Sequence, residues 1–152
     1  MFFSIVLPTR NRPQLLRSAV DSVLKQDFKD FELIVSDNSS ESIAASVREL
    51  VAGYNDKRII YVRPSSELPM SDHWEWAVSH AAGEYVSVLY DRAVYKNPSL
   101  SVIHKELVAN GLPDAVVFNR DFLLGEDPPF YLERNRHTDQ VSWIKSEDAA
   151  DM

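Results

Sequence analysis

Two hydrophobic periods take turns along the first 120 residues, and few folds accommodate that. Strand-like apolar runs span Phe2 to Leu7, Phe31 to Ser36, Arg58 to Arg63, Glu84 to Tyr90 and Asp114 to Asn119. Between them lie stretches with helical spacing. The first puts Leu15, Leu16, Ala19, Val20, Val23 and Leu24 on one face, with Pro13 in the first turn, where its missing N–H costs nothing. The second carries Ile43, Val47, Leu50, Val51 and Tyr54 behind Ser39 or Ser40 as a cap. The third carries Trp74, Ala77, Val78, Ala81 and Ala82, and the fourth Leu100, Ile103, Leu107 and Val108. The order β-α-β-α-β-α-β-α-β predicts an α/β fold: a mainly parallel central sheet with helices on both faces. Gly53, Gly83 and Gly111 follow predicted helix ends, where a left-handed residue is expected.

The pattern breaks near residue 120. Residues 121–152 contain Asp127-Pro128-Pro129 and scattered aromatics without a period. A core over 1–120 and an irregular segment over 121–152 are therefore expected, the whole reading as the N-terminal part of a longer protein. A chain of 152 residues with 45% hydrophobic and 26% charged residues suits one globular domain. No apolar run approaches the ~20 residues of a membrane span. With no cysteine, disulfides and thiolate chemistry are excluded, which fits a reducing, cytoplasmic setting. His73, His80, His104 and His137 lack the spacing of a zinc site. The net charge of −7 disfavours nucleic acid as a partner.

In an open parallel sheet, ligands bind beyond the carboxyl ends of the strands. Here those ends read Pro8-Thr9-Arg10-Asn11-Arg12, Ser36-Asp37-Asn38-Ser39-Ser40, Arg63-Pro64-Ser65-Ser66, Tyr90-Asp91-Arg92 and Asn119-Arg120-Asp121. Loop ends are polar by default, but arginine recurring at four of five in an acidic chain points to a small anionic ligand. Neither G-x-G-x-x-G nor G-x-x-x-x-G-K-[ST] occurs, which argues against dinucleotide enzymes and P-loop hydrolases. A phosphorylation receiver would need carboxylates after the first strand, where Pro8-Thr9 stands.

Three segments carry a specific resemblance. Ser4 to Arg12 with the helix through Phe28, Phe31 to Ser40, and Trp74 through Gly83-Glu84-Tyr85-Val86 resemble, in order and spacing, the inverting family-two glycosyltransferases. The resemblance covers residues 3 to about 120. It implies a GT-A, Rossmann-like nucleotide-sugar domain that transfers a sugar from a nucleotide diphosphate to an acceptor hydroxyl, with surface-polysaccharide synthesis as the setting. Pro8, Thr9 and Arg10 would line the nucleoside pocket. Asp37 would accept the N3–H of a uracil- or thymine-type base, favouring UDP- or dTDP-sugars, and Asn38 would support the same turn. Asp37 can equally close an Asx turn, and Arg10 and Arg12 can be a solvated pair at a helix start. The implied acceptor is a glycan or lipid-linked molecule, which would set the protein peripherally at a membrane. Residues 121–152 would begin the acceptor side.

Two departures matter. The family's metal strand usually ends in two or three acids, whereas here Asp91 is followed by Arg92. A divalent cation (Mg²⁺ or Mn²⁺) could bind through Asp91 with phosphate and water. Alternatively, Arg92 could supply part of the metal's field, or the domain could bind without catalysing, as a nucleotide-sugar-binding module with a degenerate metal site. The family's general base is an Asp, often in an E-D pair. Glu147-Asp148 is such a pair, 57 positions after Asp91, but that separation is short and the segment also reads as an acidic, solvated terminus. Asp148 is carried as a base candidate.

Overall fold

A computed structural model describes residues 1–117, together with the backbone of 122–124 and 131–133. Two compact units divide the chain, Met1–Lys105 and Glu106–Met152. The first contains β1 (Phe3–Thr9), α1 (Pro13–Leu24), β2 (Phe31–Asp37), α2 (Glu41–Ala52), β3 (Ile59–Val62), α3 (Met70–Val78) and β4 (Tyr85–Val88). Helix α4 (Ser99–Ala109) runs across the boundary. In the second unit, β5 (Phe122–Leu124) and β6 (Tyr131–Glu133) form an antiparallel pair.

The sheet of the first unit is four-stranded, wholly parallel and ordered β3-β2-β1-β4. Alternation along β1 and β2 assigns the two faces. Val6 and Ile34 pack with Ala77 of α3, ringed by Val62, Ala81 and Val88. Ile5, Leu7, Leu33 and Val35 point the other way and are fully buried, with α1 and α2 covering that side. A right-handed crossover from β3 back to β4 requires α3 on the face opposite α1 and α2. Each such buried aliphatic side chain contributes about 1.5–3 kcal/mol.

Several expectations need correcting. The fifth strand expected from Asp114 does not form over residues 114–117, and Val117 is exposed; residues 118 and 119 lie outside the described residues. On α3 the buried residues are His73 and Ala77, not Trp74 and Val78. Ala77 and Ala81 of the expected stripe do pack on the sheet, whereas Val78 is exposed and the half-buried Trp74 ring packs on Tyr90 at 5.2 Å between centroids. Of the three helix-end glycines, only Gly111 is left-handed (φ 76). Gly53 stays right-handed (φ −62). Gly83 serves a close approach to β1, which its position after a helix did not reveal.

Gln26, fully buried just past α1, anchors the α4 side. Its amide donates to the carbonyls of Ser22 and Lys96, and its oxygen accepts the Leu100 N–H. This buried amide is fully hydrogen-bonded, as burial demands.

Candidate functional site

The chain reverses its direction of travel across the sheet between β1 and β4, and such switch points open a crevice at the carboxyl edge. Pro8 helps open this one. The last β1–β4 hydrogen bond runs from the Leu89 N–H to the Val6 carbonyl, at 2.8 Å. Pro8, the next β1 residue on that side, has no N–H to extend the ladder, so the strands part. Across the gap the Thr9 hydroxyl donates to Asp91 Oδ2 at 3.1 Å, and Arg12 Nη1 lies 3.4 Å from Oδ1. Asp91 is buried, while the Arg12 side chain is 44% exposed and open to solvent anions. Arg12 thus lies against this carboxylate, and Arg92, exposed, is the next residue along the chain.

Beside it, Asp37 stands opposite Thr9 in the β1–β2 register. It is fully buried and both oxygens are in use. Oδ1 accepts the Ser39 N–H at 2.9 Å, closing the Asx turn that the sequence allowed. Oδ2 accepts the Tyr61 hydroxyl at 2.8 Å, with Arg63 Nη1 at 3.9 Å. Burial first, and then Asp37, push the Tyr61 phenol up to about 12, so its proton stays on the side facing Asp37. A base N–H reaches this carboxylate only where Tyr61 yields.

The loops are tied together. Asn38 donates its backbone N–H to Thr9 and pairs through its side-chain amide with both backbone groups of Leu68. Asn11, left-handed at φ 58, donates its N–H to Ser39 Oγ and accepts from Ser40. Arg63 donates to the Ser39 carbonyl and to Glu41. Arg10 pairs with Glu67 at the surface. The structure therefore gathers Pro8, Thr9, Asp37, Asn38 and Asp91 at one edge, joins Arg12 to them, and turns Arg10 toward a different partner. Asp148 lies outside the described residues. Tyr61 and Glu67 went unnoticed in the sequence; an aromatic with a polar tip on an edge strand, two residues before Arg63, was the available signal for Tyr61.

His73 is a further buried polar group near the edge, its Nε2 sharing a 2.8 Å hydrogen bond with the Ser36 hydroxyl. Burial holds its pKa below 6.5; Asp37 opposes this and Arg10 adds to it. The unfolded chain therefore takes up a proton near pH 6.5 that the folded chain refuses. His73's contribution is complete above that pH and is lost as pH falls below it, with a slope of at most about 1.4 kcal/mol per pH unit. Urea midpoints measured from about pH 7 to about pH 5.5 should decline in the parent and flatten in His73→Gln. Equal slopes would remove His73 as their source.

A divalent ion of the Mg²⁺ or Mn²⁺ type needs several hard oxygen ligands. Among the described residues, no three His, Cys, Asp or Glu side chains converge to hold one. Asp91 is a single carboxylate already engaged by a hydroxyl and a guanidinium, so the described residues do not fit a metal of the family's usual kind.

A parallel α/β sheet with a polar crevice at its switch point is a ligand-binding arrangement. The chain belongs to glycosyl transferase family 2, whose family model matches residues 4–146. It is 34% identical over 105 residues to a putative colanic acid biosynthesis glycosyl transferase of Escherichia coli, covering 68% of this chain and 37% of that protein. Over 100 residues it is 31% identical to the GalNAc(5)-diNAcBac-PP-undecaprenol beta-1,3-glucosyltransferase of Campylobacter jejuni, covering 66% and 32%. The chain thus spans about a third of the length of these relatives. The same fold occurs in S. aureus TarS in complex with UDP-GlcNAc (TM-score 0.62, 23% identity, 72% of this chain and 32% of that one). It also occurs in a mannosyltransferase of Pyrobaculum calidifontis in complex with GDP-Man and Mn²⁺ (TM-score 0.61, 23% identity, 69% and 32%). No helix among the described residues is long and apolar enough to cross a membrane.

Proposed function

We propose that this chain is the donor-binding part of a glycosyltransferase that moves a sugar, with inversion, from a nucleoside diphosphate to an acceptor hydroxyl. The observation that carries this is the family membership together with the crevice between β1 and β4, where Thr9, Asp91 and Arg12 meet. The acceptor oxygen attacks the anomeric carbon, its proton passes to a base, and the bond to the diphosphate breaks with the electron pair leaving on phosphate oxygen. Arg12 and Arg92 are suited to hold that departing charge. Both edge carboxylates, Asp37 and Asp91, already have partners, so the base is assigned outside the described residues, with Asp148 as a candidate. Surface-polysaccharide synthesis, with a glycan or lipid-linked acceptor, is the setting suggested by the names of the relatives.

On the nucleoside side, Pro8, Thr9, Arg10 and Asn38 are proposed as lining. Asp37 is assigned to a UDP- or dTDP-type base, the contact requiring displacement of the Tyr61 hydroxyl. A carboxylate accepts an imide N–H but repels the acceptor face of adenine. Calorimetry should therefore show UDP binding at least about tenfold more tightly than ADP. Equal affinities would remove the base-reading role. The competing reading, a binding module without catalysis, is favoured by the lone Asp91. Release of nucleoside diphosphate by the full-length protein separates the two.

A further inference from the structure

We propose that the donor's diphosphate is held here by arginine in place of a divalent ion. Arg12 and Arg92 are the phosphate-binding cations, and Asp91 is a counter-charge to Arg12 and not a metal ligand. The inference rests on the nucleotide-sugar reading above and specifies how that site handles charge.

The family's metal strand normally offers a cluster of carboxylates, and a structural neighbour was obtained with GDP-Man and Mn²⁺. This chain's crevice has different chemistry. Asp91 is buried, its Oδ2 accepts from Thr9 and its Oδ1 faces Arg12. Recruiting its Oδ1 as a metal ligand would set a dication beside the Arg12 guanidinium. The following residue is a second cation, Arg92, exposed and without an ion pair among the described residues. With Arg92 turned into the crevice, two guanidiniums outnumber the Asp91 carboxylate there, a balance that attracts a diphosphate and repels Mg²⁺ or Mn²⁺. Guanidinium presents paired N–H donors that match phosphate oxygens, with no need to shed a metal's water shell. The Arg12–Asp91 contact at 3.4 Å is long for a charged hydrogen bond and only half shielded, so an incoming phosphate can share that arginine. Arg10 is a weaker candidate because Glu67 already takes its charge.

The test is calorimetric titration of the chain with UDP and with GDP, each in EDTA and again in Mn²⁺. The proposal expects dissociation constants within about threefold between the two conditions. Arg12→Ala and Arg92→Ala should each weaken binding by about tenfold or more. Asp91→Asn separates the models by sign. It destroys a metal site, but in an arginine site it keeps an oxygen for Thr9 and releases Arg12 from its counter-charge, so binding stays equal or tightens. Binding seen only with Mn²⁺, or lost in an Asp91→Asn protein that melts like the parent, overturns the arginine assignment and leaves the donor-binding reading intact. If Asp91→Asn does not fold, the EDTA arm on the parent decides alone. Absence of nucleotide binding in every condition overturns the donor-binding reading, and this inference with it.

Discussion

Gly83→Ala should lower the melting temperature by roughly 10 °C or more, an effect of about 3 kcal/mol. A Cβ at Gly83 would sit 2.6 Å from the Ser4 nitrogen, 2.7 Å from the Phe3 carbonyl carbon and 2.8 Å from Ser4 Oγ. Two of those atoms are backbone of the central strand, so no rotamer change relieves the overlap. The same spot holds a buried network in which Gly83 N–H donates to Ser4 Oγ, Ser4 donates to Glu32 Oε1, and Ala82 N–H donates to that same carboxylate oxygen. Pushing residue 83 away breaks these bonds and loosens the start of β4, where the Tyr85 N–H donates to the Phe2 carbonyl. Since β4 leads into Asp91, nucleotide binding should fall with stability. Ser4→Ala is the control: it removes the hydroxyl but not the backbone overlap, so it should cost less and should not rescue Gly83→Ala. A Gly83→Ala protein melting within about 2 °C of the parent would show that β4 can shift freely.

The second large effect is expected at Asp37. Replacing it with Ala leaves the Tyr61 hydroxyl and the Ser39 N–H without their acceptor and leaves Arg63 with Glu41 as its remaining counter-charge. Orphaning such buried donors costs about 1–3 kcal/mol. Under the proposed function, UDP binding should also weaken by tenfold or more, because the turn carrying Asn38 and Ser39 loses its internal tie. Tyr61→Phe distinguishes the two contributions. It frees Asp37 Oδ2 without removing the carboxylate, so UDP affinity should hold or rise while the melting temperature falls slightly. Weaker UDP binding in Tyr61→Phe at unchanged stability would make Tyr61, and not Asp37, the group that meets the base.

The strands and helices of the first unit were legible because their periods are local. A run such as FELIVSD alternates across a sheet whatever lies beside it, and the α1 stripe of Leu16, Ala19, Val20 and Val23 follows from 3.6 residues per turn. The placement of Thr9, Asp37 and Asp91 at strand ends was legible for the same reason. The burial of His73 on α3 was not, because its partner, the Ser36 hydroxyl, lies on a separate element, β2.

The sequence by itself determined an alternating α/β chain with polar, arginine-bearing strand ends. Tertiary structure decided what those ends do. Thr9 meets Asp91 across 82 positions and Arg12 meets it across 79, contacts that exist only because β4 crosses back to lie beside β1. That Asp37 is enclosed by Tyr61, and that Gly83 must lack a side chain, likewise follow from strand order. Periodicity is written along the chain, whereas the partner of a buried charge is set by which strands become neighbours.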